Sequence, residues 1–253
     1  MIAFEREIKS AYKLDEMTVE EKRAYYGELK EYILSLPFDE NKLNIAEKKF
    51  LKIVDFIFPK FGKYYKPNLS SKLAELPNQF ILVSNHLDSF DQVLLSYAFP
   101  DTAFHYMIAE SLMQAKNLYV GKLYVNMGAF VVDRTTHEGR ILAIPNALQY
   151  LYRESNVAMF PEASRQIRYG SDGTVKSFKN GSVILSQMTD VPIVPVAINN
   201  NYKKGELYIN VGEKFEVGLE SSIIQKNIEL REKVIELWEE NHDKGAKILT
   251  KKR

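Results

Sequence analysis

Across the first 66 residues apolar side chains return at helical spacing, whereas beyond Leu69 they gather into short runs separated by helical stretches. The first pattern predicts helices. Tyr25 or Tyr26, Leu29, Ile33 and Leu36 line one face, Thr18 and Glu21 form a capping box in which each side chain takes the other's backbone N–H, and Pro37 ends the run. A second box, Asn44 with Glu47, is expected to open another helix carrying Phe50, Ile53, Val54, Ile57 and Phe61 on one face around a break at Pro59.

The second pattern predicts strands at 80–84, 104–109, 129–133, 158–160, 193–199 and 207–211, with helices at about 90–98, 111–124, 138–153 and 180–188. A closing helix from 221 to about 241 follows from the spacing of Ile224, Ile228, Ile235 and Trp238, and the lysine-rich tail from His242 to Arg253 is expected to fray into solvent. Strand runs alternating with helices specify an α/β fold, a central mixed sheet flanked by helices, with an N-terminal helical extension. The expected division is a helical membrane-docking segment at 1–66 and an α/β domain at 67–253.

Composition narrows the partners. A formal net charge of +1 argues against a whole-chain nucleic-acid binder. The absence of cysteine removes disulfides, thiolate metal ligands and cysteine nucleophiles together, and fits a cytoplasmic setting. No apolar run approaches the roughly 20 residues of a membrane-spanning helix, and the start of the chain lacks the basic-then-apolar layout of a secretory signal, so membrane contact is expected to be peripheral. Lys48, Lys49, Lys52, Lys60, Lys63 and Lys66 interleave with Phe50, Phe56, Phe58, Phe61, Tyr64 and Tyr65, a mixture that suits the interface of an anionic bilayer. A helix packed on the main domain with a solvated lysine face accounts for the same composition.

Four stretches carry candidate chemistry. Asn85-His86-Leu87-Asp88-Ser89-Phe90-Asp91 follows a buried-strand pattern and enters a helix. A carboxylate five residues after a histidine at such a turn can orient the ring, leaving the other nitrogen to take a proton near neutral pH. A plain helix cap at Asp91 accounts for the same residues, and His105 with Glu110 repeats the spacing. Gly128 to Arg134 is a strand ending in Asp133 and Arg134, a fixed cation for a phosphate or half of an ion pair. Phe160-Pro161-Glu162-Ala163-Ser164-Arg165 places a carboxylate beside a guanidinium, with Arg168 close behind. Phe178-Lys179-Asn180-Gly181 enters a helix, where Lys179 adds to the positive potential of the first backbone N–H groups, and Val191-Pro192-Ile193-Val194-Pro195 then enters a strand.

In this order the stretches resemble the glycerolipid acyltransferase family of lysophosphatidic acid and glycerol-3-phosphate acyltransferases. The family pattern runs Asn-His-x4-Asp, a Gly-to-Arg strand, Phe-Pro-Glu-Gly-x-Arg and a Val-Pro-x-x-Pro-like segment, matched here by Asn85, His86 and Asp91, by Gly128 and Arg134, by Phe160, Pro161, Glu162 and Arg165, and by Val191, Pro192 and Pro195. The chain departs from it at Ala163, where the family has glycine, at Asp88, where it has a small hydroxyl residue, and at Ile108 and Ala109 before Glu110, where many members have a lysine.

The resemblance implies transfer of a fatty acyl group from a thioester, acyl-CoA or acyl carrier protein, to a hydroxyl of a glycerol-phosphate-type acceptor, foremost lysophosphatidic acid, in phospholipid synthesis. His86 oriented by Asp91 is the implied general base. Arg134, Arg165 and Lys179 are the implied phosphate clamps, and Glu162 holds the position that contacts the acceptor or fixes the arginines. Because a thioester is already activated, no metal and no cofactor beyond that co-substrate is implied. The implied partners are a membrane lipid surface, the thioester donor and, for one donor type, acyl carrier protein, at the inner face of the membrane. A hydrolase using the same histidine and a catalytically idle lipid-binding module are the alternatives, the first without a Gly-x-Ser-x-Gly nucleophile elbow.

Overall fold

The computed structural model describes residues 8–61, 66–69, 76–87, 91–113, 118–133, 135–136, 139, 142–163, 175–201 and 206–250. Its sheet contains β1 (Lys66–Leu69), β2 (Ile81–Ser84), β3 (Phe104–Ala109), β4 (Phe130–Val132), β5 (Asn156–Met159), β6 (Ile193–Asn201) and β7 (Glu206–Val211), in the order β1-β7-β6-β2-β5-β3-β4. The strands β6, β2, β5, β3 and β4 run parallel; β7 is antiparallel to β6, and β1 pairs with β7 in parallel. The sheet is therefore mixed, as the alternation of elements predicts.

At the centre lies β2, whose residues Ile81, Leu82, Val83 and Ser84 are all buried, as befits a parallel strand covered on both faces. Successive side chains point to opposite faces, so Ile81 and Val83 join one hydrophobic core while Phe80 and Leu82 join the other. Its register sets Val83 level with Met159 of β5 and with Pro195 of β6. Asn85-His86 and Phe160-Pro161-Glu162 consequently leave the same edge of the sheet from adjacent strands.

Helices α1 (Ala11–Asp15), α2 (Val19–Ser35), α3 (Glu40–Phe61), α4 (Asp91–Ala98), α5 (Leu118–Asn126), α6 (Ala143–Leu151), α7 (Gly181–Thr189) and α8 (Ile223–Thr250) cover the two faces. Leu14, Tyr26, Leu29 and Ile33 of α1 and α2 share the core of Ile81 and Val83, whereas Phe50 and Val54 of α3 share that of Phe80 and Leu82. The N-terminal helices thus straddle the sheet and complete both cores. Polar ties reinforce this arrangement: Tyr26 Oη donates to Gln187 at 2.8 Å, and Asp15 accepts the Ile223 and Ile224 N–H groups at 2.6 and 3.1 Å, capping α8 from far away in sequence.

Several boundaries differ from the sequence pattern, each for a local reason. Thr18 and Glu21 do form the capping box, but α3 opens at Glu40 because Asp39 accepts the Lys42 N–H at 2.9 Å, leaving Asn44 and Glu47 inside the helix. The helix also continues past Pro59 to Phe61. A 3-10 turn at Glu110–Met113 precedes α5 where one helix was expected, and α8 runs on to Thr250 where a frayed tail was expected. Strand β1 escaped notice, since Lys66-Pro67-Asn68-Leu69 has no alternating pattern and owes its extension to pairing with β7 at the sheet edge.

Glu47 is drawn to His105 instead of a helix end. Its Oε1 accepts from Ser155 Oγ at 2.8 Å and from His105 Nε2 at 3.1 Å, while His105 Nδ1 meets the Gly128 carbonyl at 2.8 Å and the ring stacks on Tyr150 at 4.0 Å. Both nitrogens of the buried ring are thus taken up by oxygen partners within the protein. Gly128 has φ of 87°, and a Cβ there would lie 2.6 Å from His105 Nδ1, which explains why glycine stands at this position. The histidine that mimics the candidate base is thus a structural joint between α3 and the sheet.

That joint has a pH signature. The hydrogen bond from His105, and after it that from Ser155, hold the Glu47 carboxyl below its ordinary value of 4.5 against the opposing effect of burial. A depressed carboxylate contributes stability that is complete above its unfolded value and is lost as pH falls through the folded one. The Tm gap between wild type and Glu47→Gln is therefore expected to be widest near neutral pH and to narrow as pH falls below 4.5; a gap independent of pH in thermal melts would overturn the assignment.

Candidate active site

His86 sits two residues past β2, and Asp91 is the first residue of α4. Asp91 Oδ2 lies 2.7 Å from His86 Nδ1 and also accepts the Leu87 N–H at 2.6 Å, so the carboxylate closes the turn and orients the ring at once. Asp91 is fully buried, whereas the His86 side chain keeps 12% exposure. Because the carboxylate can only accept, the proton of a neutral His86 resides on Nδ1 and Nε2 carries the available lone pair.

Three further contacts fix this histidine. Phe160, following β5, stacks on the imidazole with centroids 4.3 Å apart and planes at 20°. Glu162 Oε1 accepts the His86 backbone N–H at 2.9 Å, and its Oε2 accepts the Lys176 N–H at 3.1 Å. Asn85 is wholly buried and exchanges two bonds with Ile198 of β6: Nδ2 donates to its carbonyl at 2.9 Å, and Oδ1 accepts its N–H at 2.7 Å. The side-chain amide imitates a strand partner just where β2 ends, so that the next residue turns out of the sheet at a fixed angle.

Of the residues named from sequence, His86, Asp91 and Glu162 converge at this edge. Lys179 is exposed two positions before α7, its backbone N–H donating to the Pro161 carbonyl at 2.9 Å. Arg134, Arg165, Arg168 and Asp88 lie outside the described residues. Asp133, beside Arg134, is taken up locally, accepting from the Thr135 and Thr136 hydroxyls at 2.6 Å each. These bonds, Thr135 first, lower its carboxyl to about 2. Sequence reasoning missed the Lys176 contact to Glu162, and it quoted Asn85 as part of a motif without a role.

Ala163 occupies the left-handed region with φ of 58°. An L-residue pays roughly 1–2 kcal/mol there, and glycine returns part of that through its looser unfolded chain, so Ala163→Gly is expected to stabilise by about 0.5–1 kcal/mol. For a chain of this length that raises Tm by about 1–4 °C in a thermal melt, and a lower Tm would contradict it.

A buried carboxylate orienting a histidine at the carboxyl edge of the parallel strands is an arrangement that can take a proton from a hydroxyl. Residues 68–199, just over half of the chain, match the model of the Acyltransferase family. The chain belongs to that family and is an O-acyltransferase. It is 26% identical over 156 residues to a 1-acyl-sn-glycerol-3-phosphate acyltransferase of Bacillus subtilis (strain 168), across 59% of this chain and 71% of that protein. Its fold is similar to the crystal structure of the 1-acyl-sn-glycerophosphate (LPA) acyltransferase PlsC from Thermotoga maritima, with a TM-score of 0.54 at 19% identity, covering 84% of this chain and 88% of that one.

Proposed function

We propose that this chain transfers a fatty acyl group from acyl-CoA or acyl carrier protein to the free hydroxyl of lysophosphatidic acid, with His86 as general base. The observation that carries the reading is the 2.7 Å bond between His86 Nδ1 and Asp91, which leaves Nε2 as the proton acceptor. Nε2 takes the hydroxyl proton as the oxygen attacks the thioester carbonyl. The tetrahedral intermediate then collapses, the C–S bond breaks, and the departing thiolate recovers that proton from the imidazolium, which Asp91 stabilises in the interval. Arg134, Arg165 and Lys179 hold the acceptor phosphate in this scheme, raising the effective concentration of a weak nucleophile. Glu162 positions His86 through its backbone.

Assays with a labelled acyl thioester and either lysophosphatidic acid or glycerol 3-phosphate test the reading. Label is expected in phosphatidic acid and to disappear with His86→Ala. Release of free fatty acid alone would identify a hydrolase, and turnover unchanged by His86→Ala would remove the base.

The same proposal places the chain peripherally on an anionic membrane surface through α3. Ile45, Lys48, Lys49, Lys52 and Phe56 are exposed on its outer face, opposite the buried Leu43, Ala46, Phe50 and Val54. The other lysines and rings of the interleaved pattern, from Phe58 to Lys66, lie outside the described side chains. No helix among the described residues is long and apolar enough to cross a membrane. Each lysine near an anionic surface contributes about 1 kcal/mol, so reversing Lys48, Lys49 and Lys52 to Glu is expected to weaken binding to phosphatidylglycerol-containing vesicles by about a hundredfold or more. Co-sedimentation at unchanged affinity would refute this docking face.

A further inference from the structure

The closing helix α8 lies outside the stretch that matches the family, yet two of its side chains grip a segment that in turn grips the site. Arg231 donates from Nη2 to the Val175 carbonyl at 2.6 Å and from Nε to the Lys176 carbonyl at 2.8 Å. Asn227, four positions earlier on the helix and so on the same face, donates from Nδ2 to the Phe178 carbonyl at 2.9 Å.

The opposite ends of two of these peptide units point at the motif around Glu162. Val175 C=O and Lys176 N–H belong to one planar, trans peptide and face opposite ways. Arg231 holds the oxygen, and Glu162 Oε2 holds the N–H at 3.1 Å. Likewise Phe178 C=O and Lys179 N–H form one unit, with Asn227 on the oxygen and the Pro161 carbonyl on the N–H at 2.9 Å. Rotating either plane breaks a bond at both ends. The second oxygen of Glu162 accepts the backbone N–H of His86, so the chain of contacts ends at the base.

We propose that Arg231, supported by Asn227, is a positioning residue for acyl transfer: it fixes the Val175–Lys176 peptide, and through it the orientation in which Glu162 holds His86. The guanidinium suits this task, because its planar fork directs two charged donors at two successive carbonyls in a fixed geometry, where the donors of an ammonium rotate. The proposal rests on the general-base reading of His86.

The test is a double-mutant cycle in the full-length chain, with a labelled palmitoyl thioester as donor and lysophosphatidic acid as acceptor. Arg231→Met keeps length and removes the donors, and thermal melts report the folded fraction. It is expected to lower kcat about tenfold with the donor KM within about twofold, since small misplacement of a base acts on the chemical step. Arg231→Lys is expected to recover part of that loss. In a Glu162→Gln background, where the relay is already cut, Arg231→Met is expected to change kcat by less than about twofold. Losses that multiply independently, or an unchanged kcat in folded Arg231→Met, would overturn the proposal. If Arg231→Met fails to fold, Arg231→Gln enters the same cycle with the same two readings. His86→Ala serves as the control: activity surviving there rejects the base, whereas activity lost there together with independent Arg231 and Glu162 effects rejects the relay alone.

Discussion

Asp91→Asn is expected to lower kcat by about 10²- to 10³-fold while leaving the fold largely intact. The substitution is nearly isosteric, and Oδ2 alone accepts both the Leu87 N–H at 2.6 Å and the His86 Nδ1–H at 2.7 Å, so one amide atom must replace it towards both. A nitrogen there can only donate and would oppose the Leu87 N–H, so the carbonyl oxygen takes that place and keeps the ring proton on Nδ1. The developing imidazolium, however, loses its counter-charge in a fully buried setting, where charge pairing counts for more than in water. His86→Ala removes the base outright, with an expected loss of about 10²- to 10⁴-fold. A residual rate within tenfold of wild type for either one, measured with saturating thioester, would show that another group takes the proton.

The elements around this pair were readable from the chain because their causes are local. Strand β2 is a continuous apolar run, Thr18 and Glu21 cap each other, and His86 and Asp91 are separated by a single turn. Where a cause is distant, the pattern misled. Asn44 and Glu47 have the spacing of a helix start, yet Glu47 bonds His105 and Ser155, which lie 58 and 108 positions away, and Asp39 supplies the cap. His105 with Glu110 copies the spacing of His86 and Asp91, but a buried ring between Gly128 and Glu47 has no nitrogen left for a substrate. The interleaved lysines and rings of α3 supported either a docking helix or a packed one, and α3 packs with one face while showing its lysines on the other. The relay behind Glu162 was illegible for a different reason. It runs through backbone N–H and C=O groups of Val175, Lys176 and Phe178, which every residue possesses, so no side-chain pattern marks them.

Glu162→Gln shows what such backbone contacts are worth. Glu162 is 5% exposed, and its two carboxylate oxygens accept one N–H each from His86 and Lys176. A glutamine offers one oxygen and one nitrogen, so one of the two N–H groups must face another donor. Leaving a buried N–H unmet costs about 1–3 kcal/mol, and repulsion between the two donors pushes their segments apart. If the amide turns its nitrogen to His86, the histidine backbone moves away from Phe160 and Asp91; if it turns to Lys176, the 175–179 segment loosens while His86 keeps its partner. The second orientation retains the bond nearest the reacting atoms and is the smaller disturbance to chemistry. The expected outcome is therefore a fall in kcat of about tenfold, smaller than that of Asp91→Asn, with Tm lowered by about 2–12 °C for a chain of this length. Glu162→Ala, which strips both acceptors, is expected to exceed it on both measures. Equal kinetics for the glutamine variant and wild type, in preparations shown to be folded, would mean that His86 is held by Asp91 and Phe160 alone.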